Sequence, residues 1–507
     1  MFRQVENAFQ FQRDNADEIE HDLFINEDHD CVVYRLPTGG GKTLVAGEII
    51  ERAIHKHGHN TLFITHRDSI LQQTYDLFKN AGYDAGKVVA GGAWQKHKKL
   101  NIGMDKSFTN RMQGQENSLP KFLVIDEAHH VKGGKKPTGM GRIADAVLEN
   151  GGKVLKLTAT PVRLDGQGLG LGYGGFATKM VHGPCGRELI EMGRIMDPIL
   201  LGVPADQIPD MKGVSKTAGD FTAKAVDAAL AKSFVYGNAV QHYQECIDTY
   251  GFAPGIVFTR SEVSANAAAD AFNESGYLCD VLTQQSAKTK EVRDKMIYRL
   301  KNGLIAMIST VDIVSEGFDL PDIGIGIMER PTESITVFLQ QLGRILRYLP
   351  NKARPILLDA VGNCWRHRNV LMQEFYGDGY DWRLDGKVQA DKEDDYEPRL
   401  TIKRCKNTQC NIVSPGHAKT CECGADFPAI FRKEPKKLKG RLEEINLHDV
   451  PSPEEERLRS VAVRILKEKR NKTLKDYHAY SKLTNTSGLS PKKVSERAYA
   501  MYNKNRR

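Results

Sequence analysis

The stretch CVVYRLPTGGGKTLVAGEIIERAI, residues 31–54, carries the clearest fold signal in the chain. An apolar run of strand length is followed by a proline, a threonine and three glycines, and then by apolar residues at helical spacing. Glycines leave backbone amides accessible, and at the positive end of a helix such amides bind phosphate oxygens. The stretch therefore predicts a strand, a phosphate-binding loop and a helix.

Two residues at the end of this loop have expected roles of their own. In a P-loop the lysine of the GKT ending, here Lys42, reaches the β and γ phosphates of a nucleotide, and Thr43 ligates magnesium. The general pattern also has a glycine five residues before Gly41, where this chain has Leu36. The alternative is a stray glycine loop, which the strand–loop–helix context disfavours.

Short apolar runs recur along the chain at spacings that leave room for a helix between them. This alternation favours parallel sheets covered by helices on both faces, arranged as two α/β domains in tandem at residues 1–203 and 204–390. The candidate strands after the first one are TLFIT (61–65), FLVID (122–126), VLKLT (154–158), GIVFTR (255–260), CDVLT (279–283), IAMIST (305–310), IGIGIME (323–329) and RPILLDA (354–360).

A pair of acidic residues ends one of these strands, in VIDEAHH (124–130). After a P-loop at this distance, Asp126 is expected to hold magnesium and Glu127 to polarise an attacking water. The alternative is a polar strand end with no catalytic role.

Charge is unevenly distributed over the 507 residues, whose net charge is +8. From Leu400 to Arg507 there are 25 Lys and Arg against 12 Asp and Glu, so this tail is basic and favours a polyanionic partner. A tail kept basic for solubility is the alternative. With 40% hydrophobic residues, and no apolar run of membrane-span length, we expect an intracellular protein without membrane contact.

Nine cysteines divide into five isolated ones and a cluster of four. The cluster, Cys405, Cys410, Cys421 and Cys423, has the spacing C-x4-C-x10-C-x-C and follows an acidic linker at 391–397. Four thiolates in a short polar segment predict a zinc module at 398–432, followed by a basic helical tail at 433–507. A disulfide pair, or His417 in place of one cysteine, are the alternatives.

Four segments in this order, PTGGGKT (37–43), DEAH (126–129), LTATP (157–161) and QQLGRILR (340–347), resemble the motifs of helicase superfamily two. THRDSILQQT (65–74), IVFTRS (256–261) and STVDIVSEGFDLPDI (309–323) extend the resemblance to residues 9–370. TATPVRLDG and GRELIEMGRIMDP are similar to the branch that includes the XPB repair helicase and bacterial and phage DNA helicases.

The resemblance implies two tandem RecA-like domains and a set of site residues. Gln12 matches an adenine-binding glutamine, with Gln10 as a competing choice. The implied nucleotide-binding residues are Thr38, Gly39, Gly40, Gly41, Lys42, Thr43, Gly317 and Asp319, the last two in a motif with Asp312 and Glu316. Residues implied to couple hydrolysis to movement are His129, Thr158 and Thr160, and those implied to contact nucleic acid are Thr65, His66, Arg67, Thr259, Arg260 and Thr310.

Gln340, Arg344 and Arg347 match the last motif, and their spacing of four and three residues places them on one face of a helix. Guanidinium groups there would reach the γ-phosphate held by the other domain, and only when the cleft closes. An amphipathic surface helix with solvated arginines is the alternative.

The resemblance implies an ATP- and magnesium-dependent DNA helicase or translocase acting as a monomer. The expected partners are single-stranded, forked or branched DNA and proteins of replication or recombination, and the expected processes include DNA repair. The alternatives are a duplex translocase that does not separate strands, an RNA helicase, and a nucleic-acid sensor that ATP only switches. The presence of Glu127, Arg344 and Arg347 disfavours the sensor.

Overall fold

The computed structural model describes residues 9–386 with internal gaps, and three short strands beyond them. The gaps are residues 27, 116–117, 135, 164–165, 204–210, 212–215, 218–219, 222–238, 284, 288, 312–322 and 349–351. The strands beyond 386 are at 402–404, 413–415 and 443–444.

The first domain is built on a sheet of parallel strands. Its described strands are β1 (Cys31–Arg35), β2 (Thr61–Thr65), β3 (Ala85–Val88), β4 (Leu100–Met104), β5 (Phe122–Ile125), β6 (Lys153–Thr158) and β7 (Lys179–His182). In the sheet they are ordered β3-β4-β2-β5-β6-β1-β7. The helices are α1 (Gln10–Glu20), α2 (Lys42–His55), α3 (Asp68–Asn80), α4 (Asp105–Met112), α5 (Gly139–Glu149) and α6 (Gly186–Glu191), and a π-helical turn, His21–Ile25, extends α1.

The second domain repeats this architecture. Its described strands are β8 (Ile199–Gly202), β11 (Gly255–Phe258), β12 (Cys279–Leu282), β13 (Met307–Thr310), β14 (Ile325–Met328), β15 (Ile356–Asp359) and β18 (Glu443–Glu444). They are ordered β12-β13-β11-β14-β15-β8-β18, all parallel except the antiparallel edge strand β18. The helices are α7 (Ala239–Tyr250), α8 (Glu262–Glu274), α9 (Lys290–Lys301), α10 (Ile335–Ile345), α11 (Asn363–Arg366) and α12 (Arg368–Tyr376), and a small hairpin pairs β9 (Lys216–Thr217) with β10 (Asp220–Phe221).

The prediction of two parallel-sheet α/β domains is confirmed, and every candidate strand named from the sequence is a strand of one of the two sheets. One boundary differs from the expectation. Strand β8 precedes residue 204 but pairs with β15 of the second sheet, so the chain passes to the second domain before Ile199.

Each sheet has its own apolar core. In the first domain, residues such as Val33, Ile64 and Ile125 pack against α5, and in the second, Val257 and Ile327 pack against Phe272 of α8. All of these side chains are almost completely buried. Because these strands are buried on both faces, they appear in the sequence as continuous apolar runs.

The chain after α12 returns to the first domain. Leu384 packs against the first core, and its carbonyl accepts a hydrogen bond from the Gly170 amide at 2.8 Å. A Cβ at Gly168 would lie 1.9 Å from the same carbonyl oxygen, so the backbones meet too closely for any side chain there. The glycine-dense segment 166–176 therefore forms a packing surface for the chain that follows α12.

The chain divides into two compact units, the first comprising Met1–Ala390 with Glu434–Ile445 and the second Asp391–Lys433 with Asn446–Arg507. Both α/β domains belong to the first unit. In the second unit the structure describes one antiparallel pair, β16 (Ile402–Arg404) with β17 (Val413–Pro415). None of the helices that the structure describes is long and apolar enough to cross a membrane.

Candidate active site

The strand order brings three predicted motifs to one edge of the first sheet. Strands β5, β6 and β1 are neighbours and parallel, so their carboxyl ends lie side by side. Asp126 follows β5, Thr158–Thr160 ends β6, and the loop 36–41 follows β1. The carboxyl edge of a parallel sheet is where open α/β folds bind ligands.

The loop after β1 has the backbone of a phosphate cradle. Gly41 adopts a φ of 92° and forms the N-cap of α2, so Lys42 is the first residue of that helix. A Cβ at Gly41 would lie 2.5 Å from Nε2 of Gln12. Leu36, which stands where the general pattern has glycine, is fully buried, and its side chain occupies the space beside Gly40. Gly40, the middle glycine of the loop, therefore accommodates Leu36.

Gln12, one of the two candidates for adenine recognition, contacts the phosphate loop directly. Its Nε2 donates to the Gly40 carbonyl at 3.1 Å, its Oε1 accepts from the Phe9 amide at 3.1 Å, and it is 3% exposed. Gln10 is exposed and donates to Asp14 one turn along the same helix. The structure thus places Gln12, and not Gln10, against the loop.

Lys42, Asp126 and Glu127 form one electrostatic group. Burial lowers the pKa of Lys42, an effect that the carboxylates of Glu127 and Asp126 partly offset. Burial and the neighbouring Glu127 raise the pKa of Asp126 to about 7, while Lys42 lowers it. The Lys42 ammonium donates to the Leu36 carbonyl at 3.1 Å, within the loop itself.

Glu127 has a left-handed backbone conformation, with φ 50° and ψ 56°. Residues other than glycine are uncommon in this left-handed conformation. Backbone strain of this kind is found at functional sites more often than elsewhere. Its Oε2 lies 3.4 Å from Nδ1 of His129, which is 2% exposed. The expected catalytic acid and the expected coupling histidine are therefore adjacent.

The turn after β6 is held by its own hydroxyl groups. Thr158 Oγ1 accepts from the Thr160 amide at 3.1 Å and donates to the Thr160 carbonyl at 2.8 Å. Thr160 Oγ1 in turn hydrogen bonds to Oγ1 of Thr336, at 3.0 Å, on helix α10 of the second domain. The turn thus contacts the other domain.

Helix α10 lies against the phosphate loop. A Cβ at Gly343 would be 2.6 Å from Cβ of Thr38, so this glycine permits direct contact between the helix and the loop. Gln340 and Arg344 are both 5% exposed, and the Arg344 guanidinium is close enough to lower the pKa of Lys42. The second domain therefore brings an arginine to the nucleotide-binding loop of the first.

The expected helical position of Arg347 is wrong. Helix α10 ends at Ile345, and Arg347 lies beyond it, in an antiparallel bridge with Ile195 of the segment between the domains. The Leu346 amide still donates to the Leu342 carbonyl at 3.3 Å, whereas the Leu346 carbonyl accepts the Met196 amide at 2.8 Å, so the chain beyond Leu346 pairs with the segment between the domains. The shared helix face is limited to Gln340 and Arg344.

Sequence reasoning did not find a buried ion pair next to the phosphate loop. Nη2 of Arg35, the last residue of β1, lies 2.5 Å from Oε1 of Glu374 of α12. The two side chains are 3% and 1% exposed. Glu374 also accepts hydrogen bonds from the Gly186 amide at 3.0 Å and from the Trp382 indole at 3.2 Å. The only sign of this ion pair in the sequence was Arg35 itself, a charged residue at the end of an apolar strand.

The first-domain candidates for nucleic-acid contact lie beside the acidic motif. Thr65 is fully buried at the end of β2, whereas His66 and Arg67 are half-buried, with Arg67 Nε donating to His66 Nε2 at 3.2 Å. The rings of His66 and His130 are 4.2 Å apart, and those of His130 and His129 are 4.3 Å apart. A chain of rings therefore joins His66 to the neighbour of Glu127.

In the second domain, Thr259 and Thr310 are each 1% exposed. Thr259 donates its hydroxyl to the Thr310 carbonyl at 3.0 Å, and Thr310 donates to the Leu282 carbonyl at 2.8 Å. Both hydroxyl groups thus form hydrogen bonds to backbone carbonyls of the second sheet. Arg260 is half-buried and is the member of this trio that reaches the surface.

Some predicted residues lie outside the described residues. These are Asp312, Glu316, Gly317 and Asp319 of one motif, His417, and the cysteines Cys405, Cys410, Cys421 and Cys423. Among the residues that the structure does describe, no group of three or more His, Cys, Asp or Glu has the arrangement of a metal site.

The described residues fit a magnesium nucleotide. The glycine loop at a helix N-terminus with an enclosed lysine suits phosphate oxygens, and the two crowded carboxylates suit a divalent cation. Thr43 and Asp126 are the residues that would hold the ion. Bound magnesium supplies charge neutralisation at the β and γ phosphates.

Comparisons with known proteins agree with this site. The family described as type III restriction enzyme, res subunit, matches residues 3–163, and the family described as helicase conserved C-terminal domain matches residues 240–349. The chain is 29% identical to a 51.5 kDa protein of a Lactococcus phage over 82% of each chain. It is 25% identical to the DNA 3'-5' translocase XPB2 of Sulfurisphaera tokodaii, over 64% of this chain and 76% of the relative.

A solved structure of low sequence identity has a similar fold. It is a fragment described as an HsdR subunit of a type I restriction enzyme from Vibrio vulnificus, with a TM-score of 0.52 and 17% identity. The match covers 72% of this chain and 66% of the fragment.

Fold and site together define an ATP-hydrolysing, nucleic-acid-dependent motor, with a P-loop and acidic pair on one α/β domain and an arginine helix on the next. The chain belongs to helicase superfamily two, in the branch of XPB-like and phage helicases.

Proposed function

We propose that this protein is an ATP-dependent DNA helicase or translocase that hydrolyses ATP between its two RecA-like domains to move on DNA and to unwind or remodel it. The observation that carries the proposal is the contact of α10 with the phosphate loop, where Gly343 abuts Thr38. An arginine supplied by one domain to a nucleotide held by the other makes hydrolysis sensitive to cleft closure.

Each residue at the cleft has a chemical task in this proposal. Lys42 and the loop amides bind the phosphates, Glu127 orients the attacking water, and Arg344 stabilises charge that develops on the transferring phosphoryl group. His129, adjacent to Glu127, and the Thr158–Thr160 turn, which contacts α10, link that chemistry to domain movement.

DNA is the proposed track because a relative similar over 76% of its own length is named as a DNA translocase. Arg67 and Arg260, at the carboxyl edges of the two sheets, are the side chains we propose for backbone phosphate contacts. Phosphate contacts suit a motor that must move regardless of sequence. The basic tail at 433–507 adds affinity for DNA in this proposal.

Zinc binding by Cys405, Cys410, Cys421 and Cys423 remains part of the proposal. Its support is the cysteine spacing in the sequence. The metal content of purified protein, measured for the wild type and for Cys421→Ser, tests it. One zinc per chain that is lost in the variant is expected, and a wild type without zinc contradicts it.

The function is tested by ATP hydrolysis without nucleic acid and with single-stranded DNA, forked DNA or RNA, using Glu127→Gln as the inactive control. Stimulation by forked DNA that Glu127→Gln lacks is expected. Strand separation on the same fork then distinguishes unwinding from translocation on duplex. Stronger stimulation by RNA would replace the DNA assignment, and equal hydrolysis with every nucleic acid would refute a coupled motor.

A further inference from the structure

Helix α10 touches the first domain through a second contact, at its other end. Oγ1 of Thr336, in the first turn, lies 3.0 Å from Oγ1 of Thr160 and donates to the Val162 carbonyl at 3.4 Å. Thr160 and Thr336 are 1% and 2% exposed. Water therefore cannot easily replace a lost hydroxyl group at this point.

Thr336 also lies on the helix face that carries the motif residues. Thr336, Gln340 and Arg344 follow one another at intervals of four residues, which keeps them on one side of an α-helix. From Thr336 to Arg344 the helix rises about 12 Å. The side that faces Thr160 at one end therefore presents Arg344 near the other.

Two separated contacts determine how a rigid helix is placed. Gly343 against Thr38 sets how closely the helix approaches the loop, but a glycine contact alone permits rotation about the helix axis. The hydroxyl bridge at Thr336 removes that freedom, because rotation would break a buried hydrogen bond. The orientation of Arg344 then depends on a residue two turns away.

We propose that Thr336 is a positioning residue for ATP hydrolysis, whose hydroxyl, bridging Thr160 Oγ1 and the Val162 carbonyl, sets the rotation of α10 and so aims Arg344 at the phosphate loop. This inference rests on the proposed function. It assigns a role to a residue outside the motif QQLGRILR (340–347), and it makes the Thr160 turn the partner on the first domain.

Two substitutions distinguish the effect of the Thr336 hydroxyl group from the effect of the side-chain shape. Thr336→Val keeps the branched shape and removes the hydroxyl, whereas Thr336→Ser keeps the hydroxyl and removes the methyl group. Steady-state ATP hydrolysis with saturating forked DNA is measured for both. A hydrogen-bond loss of this kind is expected to lower kcat of Thr336→Val about tenfold. KM for ATP should stay within threefold, because the phosphate loop is untouched, and Thr336→Ser should stay within threefold of the wild type.

The matched control is Thr109→Val. Thr109 is also a buried threonine, 6% exposed, but its hydroxyl donates to the Asp105 carbonyl within the first domain at 2.7 Å. We expect its kcat to be unchanged. Thr160→Val removes one of the two hydrogen bonds of Thr336 and should also lower kcat, and the double variant should be no worse than Thr336→Val, which already lacks that bond.

The outcomes separate this inference from the function on which it rests. A wild type without DNA-stimulated hydrolysis overturns the proposed function. A wild type that hydrolyses ATP, with Thr336→Val within twofold of it, overturns the positioning role alone. Thr336→Ser as defective as Thr336→Val also overturns it, because packing would then be the cause. Should Thr336→Val not fold, Thr160→Val and Thr336→Ser carry the same test.

Discussion

The buried ion pair beside the phosphate loop offers the strongest stability test. Glu374→Gln keeps the size of the side chain and removes its charge, which leaves the Arg35 guanidinium enclosed without a counterion. The pair joins the end of β1 in the first domain to α12 after the second sheet. The substitution therefore weakens the contact between the domains as well as the local structure.

The expected cost follows from burial. The side chains of Arg35 and Glu374 are 3% and 1% exposed, so solvent cannot compensate the remaining charge. Removing one partner of such a pair costs about 3–5 kcal/mol of unfolding free energy. Arg187 and Glu191 form an exposed pair at 3.2 Å, with side chains 38% and 60% exposed, and pairs of that kind contribute about 0.3–0.5 kcal/mol. Glu191→Gln is thus the same chemical change without burial.

Urea unfolding followed by tryptophan fluorescence measures both variants. The Trp382 indole, one of three tryptophans in the chain, donates to Glu374, so part of the emission reports on this site. With a urea dependence of about 3 kcal/mol per molar, Glu374→Gln should lower the midpoint by about 1–1.7 M, and Glu191→Gln by much less. Arg35→Met combined with Glu374→Leu should recover part of the loss, because no charge is left buried. Equal midpoints for Glu374→Gln and Glu191→Gln would refute the reasoning.

Three further predictions concern the cleft and its surroundings. Gly343→Ala places a Cβ 2.6 Å from that of Thr38, so α10 must move away and kcat for ATP should fall about tenfold or more. Gln12→Ala removes the hydrogen bond to the loop and should raise KM for ATP about tenfold, measured in the same assay. Burial lowers the pKa of His367 to about 4, so only the unfolded chain takes up a proton between pH 6.5 and 4. The wild type should therefore lose about 2 kcal/mol between pH 7.5 and 5 relative to His367→Gln, measured by urea unfolding at both pH values.

Each of these predictions has a control in the chain. Gly172→Ala adds the same methyl group into open space and should leave hydrolysis unchanged. Gln10→Ala removes an exposed glutamine two positions from Gln12 and should leave KM unchanged. For His367, a stability difference between wild type and His367→Gln that does not vary with pH would show that the histidine titrates alike in both states.

Local pattern was enough to predict much of the fold. Strands such as Thr61–Thr65 and Ile356–Asp359 are buried along their whole length and appear in the sequence as unbroken apolar runs. Among the described parallel strands of the two large sheets, four were missed, namely Ala85–Val88, Leu100–Met104, Lys179–His182 and Ile199–Gly202. The first three include glycine, asparagine or lysine, and two of them are edge strands, where the demand for apolar residues is weaker.

The site was predictable to the extent that its chemistry depends on short motifs. The P-loop is one continuous segment of the sequence, and so is the acidic pair Asp126 and Glu127. The structure places both segments at one sheet edge. The end of α10 was not predictable in this way, since the chain beyond Ile345 pairs with the backbone of Ile195 and Met196. Residues 196 and 346 come together only in the folded chain.

The sequence by itself determined the fold class, the phosphate-binding loop and the order of the motifs, because these depend on residue type and on spacing along one strand or helix. Only the tertiary structure decided that Gln12 rather than Gln10 reaches the loop, that Glu374 neutralises Arg35, and that Thr336 meets Thr160. Those contacts join residues up to 339 positions apart (Arg35 to Glu374). Their partners are selected by the packing of whole elements, which no local pattern records.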